Sequence, residues 1–177
     1  SIPLFTTFPL FADQRSLRLI QHTKAPLARR RVFTDSISMS CAQALSVALK
    51  EWAAVCHALE TGRQIMLLRK GGIHEAAGEF ELDHQEFLLF PTYVHQKLEM
   101  IKPADCAGLE LRNSEPLEIK ISAFASVTDI IQIKSRAQID SLDGQHIWLA
   151  PLLDMRWNYR PENPLYILLT RVYRLVH

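Results

Sequence analysis

Cysteine is scarce in this chain, with only Cys41, Cys56 and Cys106 among 177 residues. Their spacing fits no zinc pattern and no C-x-x-C redox pair. An odd, sparse set suits a reducing cytosol, where free cysteine behaves as a small apolar residue, so a cytoplasmic protein without a catalytic thiol is expected. Six glycines and nine prolines are too few for a collagen-like or low-complexity chain. No apolar run approaches the roughly 20 residues of a membrane span, so no membrane partner is expected. Excess charge of one sign is also missing, since 20 basic residues face 19 acidic ones.

What is present is the composition of an ordinary globular protein, 48% hydrophobic and 22% charged. Its charge is unevenly spread. Residues 1–38 hold six basic and two acidic residues, while 39–177 carries a slight acidic excess. A secretory signal would place the cations before the apolar run, and here they follow it. Met39-Ser40-Cys41-Ala42 looks like a natural domain start. Residues 1–38 therefore read as a basic extension, either from a mis-called start codon or as a targeting segment or arm, and are expected to be poorly ordered.

The rest, 39–177, reads as a single α+β domain, a mainly antiparallel sheet with short packed helices. Residues 42–51 predict a short helix. Trp52–Leu59 and Gln64–Arg69, separated by Glu60-Thr61-Gly62-Arg63, predict a hairpin. A short strand is expected near Phe80–Leu82 and another over Phe87–Phe90, with Pro91 ending it and Thr92 capping a helix to about Lys102. Alternation over Leu117–Ala125 predicts a half-buried strand, with a separate short strand over Ile130–Lys134. Ser135-x-x-Gln138 is a capping box opening a helix through Leu142. Residues 146–157 predict another short helix, interrupted at Pro151, and Leu165–Val176 a central strand.

Residues 69–96 hold the densest polar chemistry, with three of the seven histidines. Arg69 and Lys70 precede Gly71-Gly72, where a sharp turn with two cations can hold a phosphate. The competing reading is a strand end with solvated charges. His84 and His95 flank the Phe87–Phe90 strand, and a strand running straight into a helix would bring both near one site. With Glu75, Glu79 or Asp83 they are the candidates for acid–base work or a metal, although no known metal signature is complete. Simple backbone or surface partners are the plainer reading of both histidines. No P-loop, Gly-x-Ser-x-Gly or Gly-x-Gly-x-x-Gly motif occurs, so no cofactor is expected. Glu118-Ile119-Lys120 has the acid-x-Lys spacing of a nuclease but reads as solvated charge. Near the C-terminus Arg156, Trp157, Tyr159, Arg160, Tyr166, Arg171, Tyr173 and Arg174 interleave cations with aromatics, a pattern that stacks bases and holds phosphates, unless the rings fill the core while the arginine tips reach solvent. Arg171 lies within an apolar run, and a buried arginine there would need Glu51 or Glu75 as its partner.

Lys50-Glu51-Trp52, Leu67-Leu68-Arg69-Lys70-Gly71-Gly72-Ile73, Phe90-Pro91-Thr92-Tyr93 with His95-Gln96, and Leu169-Thr170-Arg171-Val172-Tyr173-Arg174-Leu175 together resemble a bacterial family catalogued only as domain of unknown function 1802. The resemblance covers about 42–175. Some members of that family look fused to a restriction-endonuclease-type domain, which implies a link to nucleic acid and to restriction systems. Three functions are open to such a chain. One is a nucleic-acid-binding accessory module using Arg69, Lys70, Arg156, Arg160 and Arg174, with DNA, RNA or a nuclease-type protein as partner. Another is a protein-interaction module without chemistry. The third is a small metal-dependent hydrolase built on His84, His95, Glu75 and Glu79.

Overall fold

A computed structural model describes residues 5–7, 47–70, 75–76, 79–80 and 84–175. Its main sheet has six strands: β1 (Phe5–Thr7), β2 (Val47–Trp52), β3 (Met66–Lys70), β6 (Glu86–Thr92), β7 (Ala123–Ile133) and β8 (Leu165–Arg174). Two short strands, β4 (Glu75–Ala76) and β5 (Glu79–Phe80), pair with each other. The order is β1-β2-β6-β7-β8-β3, and only the β2–β6 pair is parallel. Helix α1 (Ala53–Glu60) follows β2 directly, while α2 (Arg136–Asp140) and α3 (Ala150–Asn158) lie between β7 and β8. The architecture is α+β with a mostly antiparallel sheet, as expected. Among the described residues, no helix is long and apolar enough to cross a membrane.

Residues 47–60 reverse the expected order of elements. The expected helix over 42–51 is strand β2 where it is described, and the expected strand over Trp52–Leu59 is helix α1. Both alternating sets of that run are apolar, so a period of two carries no information there. Ala54, Val55, Cys56, Ala58 and Leu59 are all buried, and His57 is exposed. Gly62 ends the helix at φ 70°, where its N–H reaches the Leu59 carbonyl at 3.1 Å. No local side chain caps the other end. Instead the N–H of Ala54 donates to Oε1 of buried Gln96 at 3.2 Å, and Gln96 Nε2 donates to the Glu110 carbonyl at 2.5 Å.

The β6 strand also departs from expectation. It runs through Pro91 to Thr92 rather than stopping. Its partner β7 pairs only with Glu86–Leu88, so the missing N–H of Pro91 leaves no gap in that ladder. Thr92 caps no helix, because its hydroxyl donates to the Glu51 carbonyl at 3.0 Å. The next free N–H groups, of Tyr93 and Val94, donate to the Glu115 carboxylate at 2.9 and 3.0 Å. In place of the expected helix the chain makes two single 3-10 turns, Leu98–Met100 and Pro103–Asp105.

The two strands expected over Leu117–Ala125 and Ile130–Lys134 are one eleven-residue strand, β7, that begins at Ala123. Its pairing with β8 shifts at Val127–Asp129, a bulge that bends the strand and leaves Thr128–Gln132 exposed. Leu117 is fully exposed, since alternation makes a strand only where a neighbour supplies a ladder. Ser135 and Gln138 do form the capping box of α2, with Gln138 Oε1 accepting the N–H of Ser135 at 3.2 Å. Pro151 opens α3 from its first turn, where it removes no helical hydrogen bond, and does not interrupt it. Of the expected basic extension, Phe5–Thr7 forms β1 on the open edge of β2, and the rest lies outside the described residues.

The core lies between one face of the sheet and α1. On that face Leu49, Phe87, Leu89, Ala123 and Ala125 are buried, and α1 covers them. Each such leucine contributes about 2 kcal/mol by leaving water. The opposite face is half-buried and carries Leu88, Phe124 and Tyr173 in register.

A buried polar joint holds the chain after α1 to the chain before α3. Arg63 clasps the Asp105 carboxylate at 2.8 and 3.0 Å, and Gln64 Oε1 accepts the N–H of Ile147 at 3.1 Å. His146 is fully buried here, and its Nδ1 accepts the N–H of Trp148 at 3.2 Å. Burial lowers its pKa to about 4, with the cations Lys102 and Arg63 adding to the effect and Asp143 opposing it. The unfolded chain therefore takes up this proton more readily than the folded one. Stability from this group is fully present above about pH 6.5 and falls as pH drops towards 4, by about 3 kcal/mol in total. Urea unfolding at a series of pH values is expected to show that slope, and His146→Asn, which keeps an acceptor but does not titrate, is expected to flatten it.

Candidate anion-binding corner

Glu51 is the penultimate residue of β2, and Arg69 is the penultimate residue of β3. Register puts both on the core-facing side of the sheet, Glu51 in line with Leu49 and Arg69 in line with Leu67. In the strand order, β6, β7 and β8 separate them. Yet Arg69 Nη2 lies 2.9 Å from Glu51 Oε2, with each side chain only 9% exposed. The sheet thus curls until side chains of β2 and β3 meet, and this ion pair clasps the two strands. The other carboxylate oxygen, Oε1, accepts the N–H of Trp52 at 2.9 Å. Both oxygens of Glu51 are therefore occupied.

The arginine is less well served. Its Nη1 reaches the Leu68 carbonyl at 3.5 Å, while buried Nε and Nη2 have no aligned hydrogen bond among the described residues. A second guanidinium stands nearby. Arg156, in the last turn of α3, lines a small cleft with Glu51, Trp52, Leu68, Trp148 and Leu152. Burial holds its guanidinium below the ordinary arginine range, Glu51 opposes this, and Arg69 repels it. Two cations thus face one carboxylate in a largely apolar setting.

Lys70 joins the same corner from the end of β3. Its Nζ donates to the Trp157 carbonyl at 2.6 Å and sits 5.6 Å from the centre of the Trp157 ring. A cation in this place meets the unpaired carbonyls at the end of α3. Arg160 follows in the turn beyond α3 at φ 46°, exposed and stacked 5.4 Å over exposed Tyr159.

Of the five cations expected to contact phosphate, the fold brings Arg69, Lys70 and Arg156 together and leaves Arg160 beside them. Arg69 is buried against Glu51 rather than set in an open turn, and Gly71-Gly72 lies outside the described residues. Arg174 sits apart, because Lys70 pairs with Leu165 at one end of β8 and Arg174 is at the other. Ten strand residues place it about 30 Å away. Arg171 is exposed opposite Ser126, so the apolar-run arginine that needs Glu51 is Arg69 and not Arg171. Both arginines interrupt apolar strands, and the sequence offers no sign of which one faces inward. Nothing in the sequence marks Trp52, Trp148 and Leu152 as site residues, and Glu51 enters the sequence reading only as one of two acids offered to a buried Arg171.

The histidine pair is not brought together. His84 and His95 are exposed and stand before and after the seven-residue β6, which holds them about 20 Å apart without a returning helix. The backbones of Glu75 and Glu79 lie in the small β4–β5 hairpin, and their side chains are outside the described residues. Among the described residues, no three His, Cys, Asp or Glu side chains group as metal ligands. Glu118 lies in a bend and Lys120 just after it, both exposed and outside any strand, which removes the acid-x-Lys pattern from a sheet. Burial, with Glu51 and Glu60 adding, pushes the Cys56 thiol up and makes it a poor nucleophile.

The half-buried face of the sheet carries a second cation–aromatic group. Phe124 and Tyr173 stack with ring centres 4.7 Å apart, and Arg171 lies two residues before Tyr173 on the same face. Lys50 Nζ lies 6.0 Å over the Phe90 ring on the neighbouring strands.

Residues 48–177 match the family described as Domain of unknown function (DUF1802), and the chain belongs to it. No curated protein and no solved structure matches.

Loss of one partner from the Glu51–Arg69 clasp leaves the other charge buried. Glu51→Met and Arg69→Met are each expected to destabilise the fold by about 3 kcal/mol in urea unfolding. The double substitution is expected to cost less than the two single ones summed, and additivity would show that the pair does not couple.

Proposed function

We propose that the chain is a nucleic-acid-binding accessory module. The observation that carries this reading is the gathering of Lys70, Arg156 and Arg160 with Trp157 and Tyr159 at one corner. Arg160 is exposed and Lys70 and Arg156 are half-buried; cations at a surface bind phosphates, and aromatic faces between them accept unstacked bases whatever their sequence. The Phe124–Tyr173 stack beside Arg171 supports the same reading, because it offers a half-open ring surface on a sheet. Arg174, at the far end of β8, extends contact along the molecule. The slight acidic excess of 39–177 does not oppose it, since phosphates respond to the local potential. A restriction-type nuclease domain is the partner such a module would serve.

Fluorescence anisotropy with labelled single- and double-stranded DNA and RNA tests this. For three phosphate contacts, affinity is expected to fall roughly 20- to 40-fold between about 50 and 200 mM salt. Lys70→Glu with Arg160→Glu is expected to abolish binding, and Arg174→Glu to weaken it. Absence of binding at low salt, or binding unchanged in the double variant, would overturn the reading.

A further inference from the structure

The second half of β7 uses one of its two hydrogen-bonding edges. On β8 the N–H of Thr170 donates to the Ile65 carbonyl at 2.8 Å, away from β7. Alternation turns Leu169, Ile167 and Leu165 the other way, towards their register partners Asp129, Ile131 and Ile133. The N–H and C=O groups of Ile130 and Gln132 therefore point away from β8. On that side β6 stops short. Its pairing with β7 ends at Glu86 and Ser126, and a last bond joins the Val127 N–H to the Gln85 carbonyl at 2.8 Å. Four backbone groups of Ile130 and Gln132 thus have no strand beside them among the described residues. Thr128–Gln132 is exposed throughout, and Ile130 and Ile131 are 36% and 46% open to solvent. The outer edge of β3 is treated differently. There Gln64 Nε2 donates to the Met66 carbonyl at 2.8 Å and Arg69 Nη1 reaches the Leu68 carbonyl at 3.5 Å. Exposed edges are commonly guarded by lysine or proline. Val127–Ile133 contains neither, and four of its seven residues are valine or isoleucine.

We propose that this edge pairs with the same edge of a second copy of the chain, forming a two-fold symmetric dimer in which β7 runs antiparallel to β7. Four outward backbone groups call for an extended strand, and β7 meets its own requirement. With Ile131 on the two-fold axis, Ile130 of each copy lies opposite Gln132 of the other, and all four groups are paired. Ile131 then meets its counterpart in the close pair between hydrogen bonds, where apolar side chains touch most. Asp129 is the one charge between Val127 and Ile133, and this register sets it opposite Ile133 rather than another acid. The edge therefore carries no self-repulsion, and no row of charges with which to select a foreign peptide. The inference is independent of the nucleic-acid reading, which uses other residues.

Sedimentation velocity of the full chain tests it. So short a ladder makes an interface below the ~1,200 Å² of a standard complex, so a dissociation constant on the order of 100 µM is expected. Ile131→Asp puts two acids on the axis and is expected to weaken the dimer about tenfold or more. Residue 131 is exposed, so its circular dichroism and thermal midpoint are expected to match the parent's. Ile131→Cys is expected to form an intermolecular disulfide under mild oxidation, because Cα atoms of a close pair lie about 4.5 Å apart. Asp129→Cys is the control. In the same register its two copies stand about 13 Å apart, beyond disulfide reach, and it is expected to cross-link no more than the parent with its native cysteines. A parent that stays monomeric to about ten times the expected dissociation constant overturns the proposal. So does a dimer that Ile131→Asp leaves intact, or cross-linking no greater at 131 than at 129. If Ile131→Asp fails to fold, the comparison of the two cysteine variants decides alone.

Discussion

Much of this molecule depends on one ion pair, Glu51 with Arg69, which joins strands that the sheet order keeps far apart. A flat sheet would hold β2 and β3 about 19 Å from each other, four strand spacings across. The register shift in β7 lies between them in the strand order, and α1 packs against the core-facing side of the sheet. The pair is not chiefly a source of stability, since removing two charges from water cancels most of their attraction. Its effect is to make other closures of the sheet unfavourable, because any of them would strand a charge in the core.

The same clasp organises the chemistry around it. With β2 and β3 held together, the last turn of α3 delivers Arg156 beside Glu51. Lys70, one residue beyond the clasp, faces away and closes the end of α3 through the Trp157 carbonyl. Position along the strand thus separates two roles. Arg69 is a buried structural charge, whereas Lys70 is half-buried against Trp157 and Arg160 is exposed. Local charge matters more than net charge here. A chain of net charge +1 still builds a corner where cations outnumber acids.

The polar connections of the core span long stretches of chain. Gln96 caps a helix 42 residues before it, and Gln64 and Arg63 reach across to the segment before α3. The motif His95-Gln96 stood out in the sequence as part of a functional-looking region. Its second residue proves to be a helix cap, and its first is an exposed side chain. Chemistry-bearing residue types are common in such joints because buried backbone groups must find partners, and a distant glutamine serves as well as a local serine.

The amino-acid sequence alone determined the class of fold, the family, the capping box at Ser135 and Gln138, and the long strand near the C-terminus. Each rests on local signals, such as a fixed spacing, a sustained apolar run or a set of ordered motifs. It misplaced β2 and α1, because an apolar run without polar punctuation suits either element. It took Leu117–Ile121 for strand, because alternation does not reveal whether a neighbouring ladder exists. Which arginine turns inward, which carboxylate meets it, and which cations share a corner were decided only by the tertiary structure. Those contacts join residues that lie far apart along the chain. Nothing within one strand or helix encodes the curl that makes them neighbours.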